Sequence, residues 1–146
     1  MKLSILVMGL PGAGKTTLAR ALVDFLVSVG KTVEWYNADD VRTKYNDWDF
    51  SNEGRIRQSL RMKDLANKAE SEYVVCDFIA PLPEMRNNFA ADYVIWLDTI
   101  KQSEYEDTDQ IFVPPFKYNY YVPEKDAEHY ATEIGKHLLF LSQYTQ

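Results

Sequence analysis

The sequence predicts an α/β domain, three-layered with a mostly parallel central sheet, and three observations predict it. Short apolar runs alternate along the chain with segments whose apolar residues recur at helical spacing. A glycine-rich turn joins the first apolar run directly to the first helical segment. Polar residues follow the ends of three apolar runs, at residues 9–16, 37–42 and 77–81. Strands alternating with helices imply a parallel sheet covered on both faces. Ligands of such sheets bind in the crevice beyond the carboxyl ends of the strands, so three distant segments are expected to converge on one site.

The elements follow in order. Residues 3–8 read as a short buried strand, and residues 16–29 as a helix with Leu18, Leu22, Phe25, Leu26 and Val29 at helical spacing. Gly30-Lys31 closes the turn, residues 32–36 form a second strand, and residues 52–71 form a helix carrying Arg55, Arg57, Arg61 and Lys63. Residues 73–76 are a third strand ending at Asp77, residues 91–97 a fourth, and residues 118–122 a short fifth. Pro123 leads into a last helix, residues 125–142, with Ala127, Tyr130, Ala131, Ile134, Leu138 and Leu141 on one face. Residues 99–117 are the one long stretch without a pattern, a length usual for functional or mobile segments. They read as a lid. No repeat, low-complexity tract or linker divides residues 1–146, which are expected to form a single domain.

Composition narrows the class. A chain of 146 residues has room for one core and buries about 70% of its unfolded surface. No apolar run approaches the ~20 residues that cross a bilayer, and the N-terminus lacks the order of a signal peptide. Cys76, the only cysteine, sits in an apolar run and reads as a small core residue. These features lead to the expectation of a cytoplasmic protein without a membrane partner. The net charge of −6 argues against a large nucleic-acid surface, though a local basic patch is compatible with it.

Residues Gly9-Leu10-Pro11-Gly12-Ala13-Gly14-Lys15-Thr16-Thr17 fit G-x-x-x-x-G-K-[ST], the loop that wraps the phosphates of a nucleoside triphosphate. A glycine-rich turn between strand and helix aims backbone N–H groups and the positive end of the helix at one spot. Lys15 would reach the β- and γ-phosphates, serving both donor binding and rate, and the Thr16 hydroxyl would bind Mg²⁺. The expected fold is therefore the P-loop NTPase fold, with ATP as donor.

Within that class, no N-K-x-D segment reads guanine, and motor ATPases are usually longer. Asp39-Asp40-Val41-Arg42 places acids and an arginine after the second strand, where small kinases hold their acceptor. A carboxylate in reach of a weakly nucleophilic hydroxyl can orient it and take its proton. Arginines hold an anionic acceptor and stabilise charge on the transferring phosphoryl group. Asp39 is the candidate base and Arg42 a candidate acceptor ligand; the competing role for Asp39 or Asp40 is to cap the short helix that follows.

Here the chain resembles the adenylyl-sulfate kinases, which use ATP to phosphorylate the 3′-hydroxyl of adenosine 5′-phosphosulfate. Residues 9–19 are similar to that family's G-L-S-G-A-G-K-T-T-L-A, and Asn37-Ala38-Asp39-Asp40-Val41-Arg42 to its D-G-D-N-V-R. Phe50-Ser51 with Arg55 and Arg61 resembles G-F-S-x-x-D-R-x-x-N-I-R-R, and Phe78-Ile79-Ala80-Pro81 resembles F-I-S-P, with Arg86 following. The likeness runs over roughly residues 1–97. It implies Asp39 as base, Arg42 and Arg55 as ligands of the adenylyl-sulfate, Phe50 against its adenine, and Ile79 as an apolar contact to the same nucleotide. It also leaves room for a homodimer. From the residues alone Phe50 could instead be a core phenylalanine, and Arg55 and Arg61 the solvated face of a helix, the reading favoured for Arg61.

The departures are specific. Ala80 replaces the serine of F-I-S-P, Gln58 an asparagine, and Leu60 an arginine. Asp77 stands where the family usually has a small residue; it could hold Mg²⁺ directly or through water, or accept a bond from the loop. The lid is short, acidic and without arginine. Two other readings follow. Asn37-Ala38-Asp39-Asp40 with Arg42 also resembles the N-x-D-D-x-R of polynucleotide kinases, so the acceptor could be a nucleic-acid 5′-end or a modified nucleotide. The chain could also be a nucleotide-binding module without catalysis, against which stand Lys15, Thr16 and Asp39. Tyr118, Tyr120 and Tyr121 with Phe116 form an aromatic cluster that either packs under the last helix or offers an adenine platform. His129 and His137, on the last helix, read as surface or packing residues, and the three tryptophans carry no reading.

Overall fold

In the computed structural model, which describes residues 2–144, the sheet has five strands in the order β2-β3-β1-β4-β5. They are β1 (Leu3–Gly9), β2 (Val33–Asn37), β3 (Tyr73–Asp77), β4 (Tyr93–Leu97) and β5 (Tyr120–Val122). Every pairing is parallel, so the expected mostly parallel sheet is wholly so. The helices are α1 (Lys15–Ser28), α2 (Ala38–Tyr45), α3 (Asn52–Lys68), α4 (Pro83–Phe89), α5 (Glu106–Ile111) and α6 (Ala127–Ser142). Among the described residues no helix is long and apolar enough to cross a membrane.

Successive side chains of a strand point to opposite faces, and the central strands are apolar at most positions, Ser4 of β1 and Asp77 of β3 excepted, because both faces are covered. Ile5 and Val7 of β1, Val75 of β3 and Ile95 of β4 enter a core with Leu18, Leu22 and Leu26 of α1 and Ile134 and Leu138 of α6. Leu6 and Met8 of β1 and Val74 and Cys76 of β3 enter a second core with Met62 and Ala66 of α3 and Phe89 of α4. The three layers are thus α1/α6, sheet, and α3/α4. Gly135 lets α6 approach α1, since a Cβ there would lie 2.2 Å from the Phe25 ring. His137 is a packing residue: its Nδ1 meets the Tyr93 hydroxyl at 2.7 Å.

Two expectations are corrected. Residues 99–117 are not structureless: α5 lies within them, Thr108 on it is buried, and Asp109 accepts from the Ser103 N–H and hydroxyl at 2.8 and 2.6 Å. The far end is tied down by the Val113 N–H, which donates to the Pro81 carbonyl at 2.8 Å, and by Arg86, which donates to the Val113 carbonyl. The tyrosine cluster also splits. Tyr118 and Tyr121 pack against Trp96 in tilted and edge-on contacts, at centroid distances of 5.4 and 5.2 Å, while Tyr120 turns to Tyr130 of α6 and Phe116 stays 95% exposed.

Candidate active site

The loop between β1 and α1 is shaped by its glycines. A Cβ on Gly9 would lie 2.7 Å from the Leu97 carbonyl oxygen of β4, so only glycine lets the loop leave the sheet there. Gly14 is the N-cap of α1 with φ +99°, a left-handed conformation that favours glycine. With no capping side chain in the way, the N–H groups of the first turn face an anion site. The Lys15 Nζ donates to the Leu10 carbonyl at 2.9 Å. Burial pushes its pKa down to about 8, against the opposing pull of the Asp77 and Asp39 carboxylates.

Asp77 ends β3 at the floor of the site, 2% exposed. Its Oδ2 accepts from the Trp35 indole N–H at 2.6 Å and its Oδ1 from the Asn37 Nδ2 at 2.9 Å. Burial raises its pKa; the bonds from Trp35 and Asn37 and the Lys15 charge oppose the rise. The Asp77 and Lys15 shifts agree in sense, each group being driven toward neutrality by the same desolvation. Asn37 Nδ2 also donates to Thr16 Oγ1 at 3.1 Å, and Asn37 Oδ1 caps α2 by accepting the Asp40 N–H at 3.1 Å. The cap of α2 is therefore Asn37, which leaves the carboxylates of Asp39 and Asp40 exposed in its first turn.

The candidate acceptor residues are held by other side chains and by carbonyls. Arg42, 5% exposed, donates through Nη1 to the carbonyls of Asp47 and Asp49 at 3.0 and 3.2 Å, folding residues 46–51 back over α2. Arg57 grips Asp47 through Nε and Nη2 at 2.7 and 3.1 Å and holds that carboxyl well below the usual carboxylate range. Arg61 is not on a solvated face: its Nη2 reaches the same carboxylate at 3.1 Å and its Nη1 the Gln58 Oε1 at 3.0 Å. Gln58 is buried and bonds the Ala38 carbonyl at 3.2 Å, joining α3 to α2.

Phe50 is not a core residue. It is 44% exposed, with the Arg42 and Arg55 guanidiniums 4.3 and 5.5 Å from its ring centroid. Arg55, 6% exposed, is likewise not on a solvated face; it donates to the Phe50 carbonyl at 2.9 Å and to Thr108 Oγ1 of α5 at 3.0 Å.

These groups line one cavity of about 960 Å³. Residues 11–17, Asp39, Arg42, Phe50, Arg55, Asp77, Ile79 and Thr108 all line it. Of the phosphate-loop, Asp39, Arg42, Phe50, Arg55, Asp77 and Ile79 candidates, Gly9 does not line it; its part is to shape the loop. Asn37, Trp48, Gln58, Thr108 and Tyr130 line it as well; of these, the sequence marks Gln58 only as a departure from the family pattern and assigns none a site role. Asn37 and Gln58 lay inside the quoted motifs, but Thr108 left no signal. Among the aromatics of the proposed adenine platform, none is in the lining; Tyr130 of α6 is.

Residues 1–96 match the family model for adenylylsulphate kinase. A probable adenylyl-sulfate kinase of Aeropyrum pernix is 37% identical over 82 residues, covering 54% of this chain and 45% of that protein. The chain thus spans about half the length of that curated relative. The structure of the Mycobacterium tuberculosis APS kinase CysC, in complex with AMPPNP and APS, superposes with a TM-score of 0.77 at 18% identity, over 94% of this chain and 97% of that one. Shikimate kinase from Aquifex aeolicus superposes at 0.68 and 17% identity, over 97% and 99%. The last two likenesses give the P-loop NTPase fold, and the family match gives the lineage: this chain belongs to the adenylylsulphate kinase family.

Proposed function

We propose that this protein transfers the γ-phosphoryl group of ATP to the 3′-hydroxyl of adenosine 5′-phosphosulfate, in the cytoplasm. The observation that carries the reading is the exposed Phe50 ring, flanked by two buried arginines, across one cavity from the phosphate-binding loop. An adenine stacks on such a ring, and guanidiniums beside it suit a phosphosulfate anion.

The residues divide the work. The N–H groups at the start of α1 and the Lys15 ammonium hold the β- and γ-phosphates and meet charge on the phosphoryl group as it transfers. Asp39 accepts the proton of the acceptor hydroxyl; it lines the same cavity as Lys15 and Thr16, which supports the reading. Arg42, Arg55, Phe50 and Ile79 hold the acceptor. Mg²⁺ takes one or two hard oxygen ligands from protein and the rest from phosphates and water, and the Thr16 hydroxyl and the Asp77 carboxylate, both bonded to Asn37, are two such oxygens in the cavity lining. Thr16 and Asp77 would hold it, and it would neutralise phosphate charge there.

ADP release from Mg-ATP tests the reading, measured with adenylyl-sulfate and, in parallel, with a single-stranded oligonucleotide. Stimulation by adenylyl-sulfate alone is expected. Stimulation by the oligonucleotide alone would move the acceptor to a polynucleotide 5′-end, and stimulation by neither would leave a nucleotide-binding module.

A further inference from the structure

We infer that Asn37 is a positioning residue that sets the Thr16 hydroxyl for the metal-bound triphosphate, and that it must be an amide because its neighbour Asp77 supplies the carboxylate. The inference rests on the kinase reading above, but not on the identity of the acceptor.

Asn37 and Asp77 are register partners at the carboxyl ends of β2 and β3. The Asn37 side chain makes three bonds: Nδ2 to Asp77 Oδ1 at 2.9 Å, Nδ2 to Thr16 Oγ1 at 3.1 Å, and Oδ1 from the Asp40 N–H at 3.1 Å. Two donated protons and one accepted bond require an amide in this orientation. Flipped, its oxygen would face the Asp77 carboxylate and its NH₂ the Asp40 N–H. An aspartate at 37 would lack both donors and would set a second carboxylate against Asp77, whose far oxygen Trp35 already holds.

The bond to Thr16 has a chemical consequence. Thr16 Oγ1 accepts from Asn37 through one lone pair, which leaves its second lone pair and its O–H to be shared between a cation and a phosphate oxygen. The same side chain caps α2, the helix that bears Asp39 and Arg42. One amide therefore fixes the threonine of the donor loop relative to the helix that carries the candidate base. The adenylyl-sulfate kinase pattern has an acid at the position of Asn37 and a small residue at that of Asp77. In this chain the acid stands one strand over, and the amide bridges the gap.

The test uses isosteric changes in the full chain and a non-hydrolysable ATP analogue, with no acceptor present. The readouts are analogue affinity with and without Mg²⁺, and the melting temperature without either. Asn37→Asp is expected to lower the Mg²⁺-dependent gain in affinity about 10–100-fold, the usual cost of losing an outer partner of a metal ligand. Mg²⁺-free affinity should stay within about twofold, and the unliganded melting temperature should fall. The exchange N37D/D77N restores one acid and one amide and should recover most of both losses. Should Asn37→Asp not fold, Asn37→Ser, which can still cap the Asp40 N–H but cannot donate to both Asp77 and Thr16, is expected to lose the Mg²⁺ gain in the same way, and its keeping the full gain would overturn the inference. The inference is overturned if Asn37→Asp keeps the full Mg²⁺ gain, if the exchange does no better than the single change, or if the parent shows no Mg²⁺ gain at all. An unaltered chain that binds Mg²⁺ and analogue but ignores adenylyl-sulfate overturns the acceptor reading and leaves this one standing.

Discussion

On the donor side of the cavity, in the proposed reading, the groups that face the phosphates include main-chain N–H groups held between two buried elements, β1 and α1, besides the Lys15 and Thr16 side chains. On the acceptor side they are long side chains held by other side chains: Arg42 by two carbonyls, Arg55 by the Phe50 carbonyl and the Thr108 hydroxyl, Asp47 by Arg57 and Arg61. A backbone site is set by where glycine is tolerated and changes little when side chains change. A side-chain site is re-aimed by one substitution on any of several elements. The likeness to the family follows the same line: the loop of residues 9–17 matches it closely, while residues 99–117 do not. In the proposed reading, the donor loop is set mainly by the backbone, and acceptor choice is where this chain is free to differ.

The largest effects should separate the halves. Asp39→Ala removes the candidate base and should cut turnover about 10²–10⁴-fold while analogue affinity stays within about twofold. Lys15→Ala removes a donor to the transferring group and should cut turnover about 10²–10³-fold and weaken nucleotide binding as well. Steady-state kinetics beside equilibrium binding read both. If Asp39→Ala weakened nucleotide as much as Lys15→Ala, Asp39 would belong to the donor half and the division would fail.

How legible each half was in the sequence has the same cause. Five elements, β1, α1, β3, β4 and α6, announce themselves by apolar runs or spacing, because buried elements repeat with the period of their geometry. The phosphate loop is legible because the backbone demands glycine at fixed places. α4 and α5, with seven and six residues, are too short to show a helical period, and α5 opens on acids. Arg61 looked solvated because spacing along a helix says nothing of a loop folding back onto it; Asp47 does so. Phe50 looked equally like core, and only the placement of residues 46–51 decides that it faces a cavity. The Trp35–Asp77 bond depends on the register of β2 against β3, which no local pattern carries.

The acceptor half is sharpened by changing its two ends separately. Arg55→Ala removes a charged ligand and should raise the acceptor KM roughly 10–100-fold, leaving the KM for ATP unchanged. Thr108→Val keeps the arginine but deletes its tie to α5, and should raise the acceptor KM about three- to tenfold with turnover at saturation nearly intact. That ordering makes the arginine the ligand and the threonine its support. A shift in the ATP KM alone for either variant would place Arg55 on the donor side.

The smallest effect distinguishes the halves by a proton. Burial lowers the Lys15 ammonium from its ordinary 10.5 to about 8, with Asp77 and then Asp39 pulling the other way. Between those values the unfolded chain binds more protons at this position than the native one, so the nucleotide-free protein gains stability as pH rises through that window. Triphosphate charge favours the ammonium form, so nucleotide binding draws a proton from solution wherever the free protein has released it. At about pH 8, calorimetric titration in two buffers of different ionisation enthalpy should read roughly half a proton taken up per nucleotide. At about pH 6.5, where Lys15 is already charged, its share should vanish. Lys15→Met should abolish the uptake at the higher pH. Arg42 and Arg55 stay charged throughout, so the acceptor KM should be flat over the same range. Uptake that survives Lys15→Met would assign the proton to another group, and the buried ammonium would no longer mark the donor half.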